Sequence, residues 1–337
     1  MIQGLFSVDE VAAMIEKGDS LLLAGDSALL KTLPKGKWIA GLACRFVENG
    51  KDLVTTREKI FVHNLTGIAA DAKLDIYDTS TIQSIYDDAF ENGFSVMILP
   101  HKAEVTNEYA INCMNYSNFA SRPLCGWVSE VSVFLEPDRD DESIVFSGET
   151  GLSYNNSAVV MHFALPPEKY AEIHTFNPFI QGSGDVIVFE ENGQQVENVL
   201  INGVRQNFRQ YLFDKKIDRS SFEVYNVIAG DYAGITINAN ISMDLDVDQE
   251  KYVSLGNPVY KGIPYRFAKL APDQSYDNLK QIDDKIVFSL SCITNFVVPD
   301  VFLKYIKHTN GPFAYGEIAY VLLNHTTVYV TVGNSLN

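Results

Sequence analysis

Gly311 to Val332 reads G-P-F-A-Y-G-E-I-A-Y-V-L-L-N-H-T-T-V-Y-V-T-V. Gly311-Pro312 is a breaker pair, and the far end alternates Val328, Val330 and Val332 with Tyr329 and Thr331, which is the period of a strand. Between them Glu317 follows Gly316 and leads into an apolar run. A glycine lets another backbone or a ligand approach closely, and a part-buried carboxylate needs a partner. Two readings stay open from these residues: a strand pair whose Glu317 faces water, or an acid at the edge of a pocket.

The same stretch carries a family likeness. F-A-Y-G-E-I followed by L-N-H-T-T-V resembles the C-terminal signature of FIST domains, a bacterial sensory module. Asn192 to Tyr211 is similar to that family's hairpin and helix, and Gly262–Leu270 and Ile286–Cys292 are similar to its next strands. The likeness is clearest in the second half of the chain. It implies a signalling module that senses a small ligand, an amino acid or related metabolite; with no output domain attached, the module is expected to act through a signalling partner protein or as a stand-alone small-molecule binder. Some members bind haem and respond to nitric oxide. The family layout brings Cys292 and Asn295 near Tyr315, Glu317, Asn324 and His325, and these six are the candidate ligand-binding residues. In one respect the chain departs from the pattern. Relatives often carry a basic residue after the strand that ends here at Cys292, where this sequence has Ile293-Thr294-Asn295.

A chain of 337 residues, 46% hydrophobic and 20% charged, is long enough for a large core. Its net charge of −17 repels phosphate, so neither nucleic acid nor an anionic membrane is expected as a partner. No apolar run approaches a membrane span, and Asp9, Glu10 and Glu16 interrupt any leader-like start, so a cytoplasmic protein is expected. Cys44, Cys113, Cys125 and Cys292 are scattered, which fits reduced thiols.

Along the chain, Ser7-Val8-Asp9-Glu10 is a capping box that predicts a helix with Val8, Val11, Ala12 and Ile15 inward. Strands are expected at Leu21–Ala24, after Lys35, at Phe94–Leu99, Trp127–Leu135 and Ala158–Leu165, with helices at Ser80–Asn92 and from Thr106. Trp38 reads as a core anchor. Asn192-Gly193 signals a hairpin between Val186–Glu190 and Val196–Ile201, followed by a helix over Val204–Phe213. Further strands are expected at Phe222–Ile228, Gly234–Ile241 and Ile286–Cys292, with a last helix from Pro299. The alternation predicts a mixed α/β protein of two strand-rich layered halves with flanking helices, divided at the Gly/Ser turn into residues 1–184 and 185–337.

Chemistry is sparse. The six histidines show no H-E-x-x-H and no cysteine at finger spacing, so no metal site is expected. Asp244, Asp246 and Asp248 would share one strand face, but Gln249 stands where a calcium loop needs glycine. There is no G-x-S-x-G, no S-x-x-K and no P-loop, although a triad built from distant residues stays open. No catalytic residue is assigned and no cofactor is expected, since no histidine sits in a haem-ligating motif. An enzyme with Glu317 as general base beside His325 is the rival to a small-molecule binder, and a haem-based sensor is a third reading.

Overall fold

A computed structural model describes residues 2–48, 50, 52–129, 142–215, 226–242, 251–271, 285–297 and 309–335. The expected balance of strands and flanking helices is overturned: the described residues hold 27 strands but only four α-helices, none longer than nine residues. Most apolar runs are short and β-branched, and long-range pairing claims several segments with helical spacing. Over 80–92 only the 3₁₀ turn Ile82–Ser84 forms. There Asp78 Oδ1 accepts from the N–H of Ser80 at 2.8 Å and of Thr81 at 3.1 Å, bonds that cap the start of the turn.

Four sheets organise the molecule. One runs Ile2–Phe6, Ile60–Asn64, Leu21–Gly25, Trp38–Leu42, Val145–Ser147, Leu152–Tyr154. The helix Val8–Glu16 packs on it, its capping box formed in both directions between Ser7 and Glu10. Trp38 is buried in this layer. A second sheet runs Val321–Leu323, Glu317–Ala319, Leu124–Ser129, Gly93–Pro100, Ala158–Ala164, Asp71–Tyr77. Its strand Gly93–Pro100 is buried along its whole length, as a continuous apolar run implies.

The third sheet runs Lys169–Phe176, Thr327–Asn334, Ile286–Cys292, Gly311–Ala314, Arg45–Glu48, Asp52–Thr55. The fourth has nine strands from Phe179 to Val259 and Leu270. In it Asn202-Gly203, both with positive φ (48° and 84°), makes the tight hairpin between Asn198–Ile201 and Val204–Asn207. The strands expected on either side of Asn192-Gly193 do pair, Ile187–Val188 with Asn198–Ile201, but Asn192-Gly193 is not a tight turn between them, because Gly193–Val196 is a strand of its own, paired with Val253–Val259. Val204–Asn207 is therefore strand, and the helix is confined to Phe208–Asp214 with Asn207 as its cap.

Residues 184 and 185 lie in the turn between Phe179–Gln181 and Ile187–Val188. The second and third sheets take strands from both sides of that turn. The far parts of the Trp127–Leu135 and Phe222–Ile228 strands, the helix from Pro299 and the aspartates 244, 246 and 248 fall outside the described residues. Among the described residues no helix is long and apolar enough to cross a membrane.

The pairing of Glu317–Ala319 with Leu124–Ser129 depends on a close approach. Gly126 sits opposite both Met97 and Ile318, and a Cβ there would collide with the Met97 carbonyl oxygen. Gly126→Ala is expected to cost about 2–3 kcal/mol by forced displacement of the strand. A urea unfolding midpoint unchanged from wild type would count against this packing.

Candidate functional site

The turns of residues 311–334 gather the candidate residues. Tyr320 (φ 63°) reverses the chain between Glu317–Ala319 and Val321–Leu323, and His325 (φ 55°) does so before Thr327–Asn334. Left-handed backbone costs a bulky residue about 1–2 kcal/mol, so the surrounding bonds hold these turns in place.

Beneath the second turn lies a buried polar chain. Cys292 Sγ is 2.9 Å from Thr294 Oγ1 and 3.2 Å from Asn324 Oδ1. Thr294 Oγ1 is 2.9 Å from His325 Nδ1, and His325 Nε2 is 2.6 Å from Asn240 Oδ1. The His325 N–H also donates to Asn324 Oδ1, and its ring meets Phe179 edge to face. Glu317 is fully buried beside Cys292, and its Oε2 accepts from the Thr326 N–H at 3.3 Å. Its Oε1 has no hydrogen-bond partner among the described residues.

Burial sets the charge of every member. It pushes the Glu317 carboxyl well above the usual carboxylate range, against the smaller opposing pull of the Cys292 and Thr326 bonds. Burial likewise raises the Cys292 thiol, helped by the neighbouring carboxyl. His325 is pushed down to about 4 by burial. Each shift favours the uncharged form of its group, so burial makes this chain of side chains a hydrogen-bonded network that resists charging. A protonated acid cannot take a proton, which works against Glu317 as a general base, and a buried neutral thiol is a weak nucleophile.

Of the six sequence candidates, Cys292, Asn324 and His325 share this network with Glu317 against it. Asn295 is buried at its edge, its Nδ2 3.5 Å from Ser291 Oγ. Tyr315 lies apart, half-buried, with its ring centroid 4.3 Å from that of His101.

Tyr315 and Asn324 both line a cavity of about 100 Å³, with His101, Lys102, Thr106 and Asn107 on one side and Gln194 and Asn257 on another. Glu317 does not line it, although Gly316 does. Larger hollows exist, about 390 Å³ around Glu190–Asn198 and about 550 Å³ between Lys35, Lys37 and Lys73. In the first, Glu190 pairs with Arg205 and Glu197 with Lys251, each at 2.8 Å. The second is a shallow opening on the surface. Of these three, the smaller cavity is the better candidate because it shares Asn324 with the buried network.

Sequence reasoning missed Thr294, Asn240, Lys102 and His101. Thr294 lies two residues beyond the strand Ile286–Cys292, and its hydroxyl links Cys292 to His325. Lys102 is marked only by its left-handed backbone, φ 56°. Asn240 arrives through the strand Ile235–Ser242, with no local signal.

Among the described residues no three His, Cys, Asp or Glu side chains are placed to hold a metal ion. One triad-like alignment does occur elsewhere. Ser95 Oγ lies 2.6 Å from His162 Nδ1, and His162 Nε2 lies 3.5 Å from Asp75 Oδ2. Ser95 and His162 are both buried, so a substrate has no approach to them.

No curated protein matches this sequence. The chain belongs to DUF6976, a family of unknown function, which matches residues 6–333.

Proposed function

We propose that this protein is a small-molecule-binding module of the FIST type, whose ligand enters the cavity between Tyr315, Asn324 and the 101–107 segment. The observation that carries this reading is the joining of a cavity to a buried polar network through Asn324. Binding sites combine a concave wall with a few fixed polar groups. Here Tyr315 supplies the wall and Asn324, fixed from behind by Cys292 and His325, supplies the polar group. The size also informs the ligand. At about 100 Å³ the cavity exceeds the space of a single water but falls below the roughly 300–1,000 Å³ of drug-sized sites, which points to a compact metabolite.

A sensory role follows from the way Asn324 couples the cavity to the third and fourth sheets. A ligand on its amide pulls on Cys292 in one sheet and, through His325, on Asn240 in another. A partner protein would read the resulting shift.

A thermal-shift screen of compact metabolites, followed by calorimetry, tests the reading. Tyr315→Ala removes the aromatic wall from a half-exposed position and is expected to weaken any hit by about 1 kcal/mol or more, with the melting temperature nearly unchanged. A hit that binds Tyr315→Ala as tightly as wild type sits elsewhere and defeats the assignment.

A further inference from the structure

The chemistry of the cavity wall selects the class of ligand, given that the cavity is the binding site as proposed above. The chain carries 43 acidic residues against 26 lysines and arginines. Nevertheless, among the described residues the lining contains no carboxylate, and Lys102 is its sole lysine or arginine. In a protein this acidic, a wall without one acid next to a lysine is a local reversal of sign.

The neutral groups point the same way. Asn324 is 7% exposed and lines the cavity. Its Oδ1 is occupied by the Cys292 thiol and the His325 N–H, which fixes the amide so that Nδ2 is left as a donor. No hydrogen bond from that Nδ2 is found among the described residues. Nδ2 is not among the buried atoms without a partner, so it is the open end of the amide, a fixed donor free to meet an acceptor in the cavity. Glu317, the acid that could have served an amine, is fully buried outside the lining. We infer that the cavity binds a compact oxyanion, the carboxylate or phosphate group of a small metabolite, held by Asn324 Nδ2 within the wall and by Lys102 at the mouth.

Donors of both kinds suit an oxyanion: a fixed neutral N–H sets its position, and a charged one strengthens the hold. Lys102 is exposed, so its contribution should be salt-sensitive, whereas that of Asn324 should not.

Isothermal calorimetry in a buffer free of carboxylate and phosphate tests this with five probes: pyruvate, succinate, inorganic phosphate, putrescine and glycerol. Two variants at exposed positions accompany wild type. Lys102→Met removes the cation, and Asn107→Trp obstructs the mouth; equal melting temperatures show that both fold. Binding of pyruvate or succinate, or of phosphate, is expected, and which of them binds separates the carboxylate source from the phosphate source. That binding should weaken about tenfold in Lys102→Met, weaken with added salt, and vanish in Asn107→Trp. Equal affinity in Lys102→Met and wild type overturns the inference. If putrescine or glycerol binds in an Asn107→Trp-sensitive manner and no oxyanion does, the cavity stands as a site and the ligand class falls. If no probe binds, or binding ignores Asn107→Trp, both readings fall together.

Discussion

Glu317→Gln is expected to stabilise the protein, and by more as the pH rises. Burial holds the Glu317 carboxyl neutral in the folded state, while the unfolded chain releases its proton near 4.5. The folded state then binds more protons than the unfolded one, so stability falls with rising pH from about 4.5 until the folded pKa is passed. The slope is about 1.4 kcal/mol per pH unit. Glutamine has the same shape, can accept from the Thr326 N–H, and carries no titrating proton. Its advantage should be near zero at pH 4.5 and grow as the pH rises above it. Urea unfolding of both proteins from pH 4.5 to 8 reads this directly. Parallel stability curves would mean that Glu317 ionises in the fold as freely as in the unfolded chain.

His63→Phe should act with the opposite pH dependence. His63 stands between the rings of Phe61 and Phe288, with centroids 5.1 and 4.8 Å away. Burial depresses its pKa to about 4 from an ordinary 6.5, against the smaller effect of the Asn310 carbonyl. Its contribution to stability is complete above pH 6.5 and is lost as the pH falls through that value toward 4. Over that interval the loss is about 3 kcal/mol. Phenylalanine fits the aromatic stack, and the Asn310 carbonyl still accepts from Ser289 Oγ at 2.8 Å. The variant should therefore lie within about 1 kcal/mol of wild type at pH 7.5 and exceed it by about 3 kcal/mol near pH 4. Guanidinium unfolding at pH 7.5, 5.5 and 4.5 measures the crossover, and its absence would show that His63 is protonated without cost.

What the sequence displays and what it conceals divide by range along the chain. The capping box at Ser7 and the buried strand at Gly93–Pro100 are local patterns, and both are present. Ile286–Cys292 is a strand over the bounds its apolar run suggests. The two Asn-Gly pairs are alike as dipeptides, yet Asn202-Gly203 makes a tight two-residue turn while the strands that flank Asn192-Gly193 pair through a longer connection. Gly193–Val196 finds its partner some sixty residues later, in Val253–Val259, and nothing near Asn192 announces that. Helical spacing at 80–92 yields only the 3₁₀ turn Ile82–Ser84, capped by the Asp78 carboxylate.

The candidate site divides the same way. Tyr315, Glu317, Asn324 and His325 lie in one legible stretch, but their separate surroundings are set by distant strands. The alternation around Glu317 does not say that Leu124–Ser129 and Thr326 would seal it from water. Nor does the sequence of Ile235–Ser242 say that Asn240 would reach His325.

The strands Gly311–Ala314, Glu317–Ala319 and Thr327–Asn334 are partnered by Arg45–Glu48, Leu124–Ser129 and Lys169–Phe176. This has a consequence for biosynthesis. While the ribosome is still making residues 130 to 310, the edge of Leu124–Ser129 that Glu317–Ala319 will cover has no partner, and neither has Arg45–Glu48 on the side of Gly311. Pairings of such sequence separation are slow to form, and an open apolar edge invites intermolecular strand addition in the meantime. The nascent chain thus depends on residues 311–319 to close sheets begun by residues 45–129, and a premature stop before Gly311 would leave two sheets open at once.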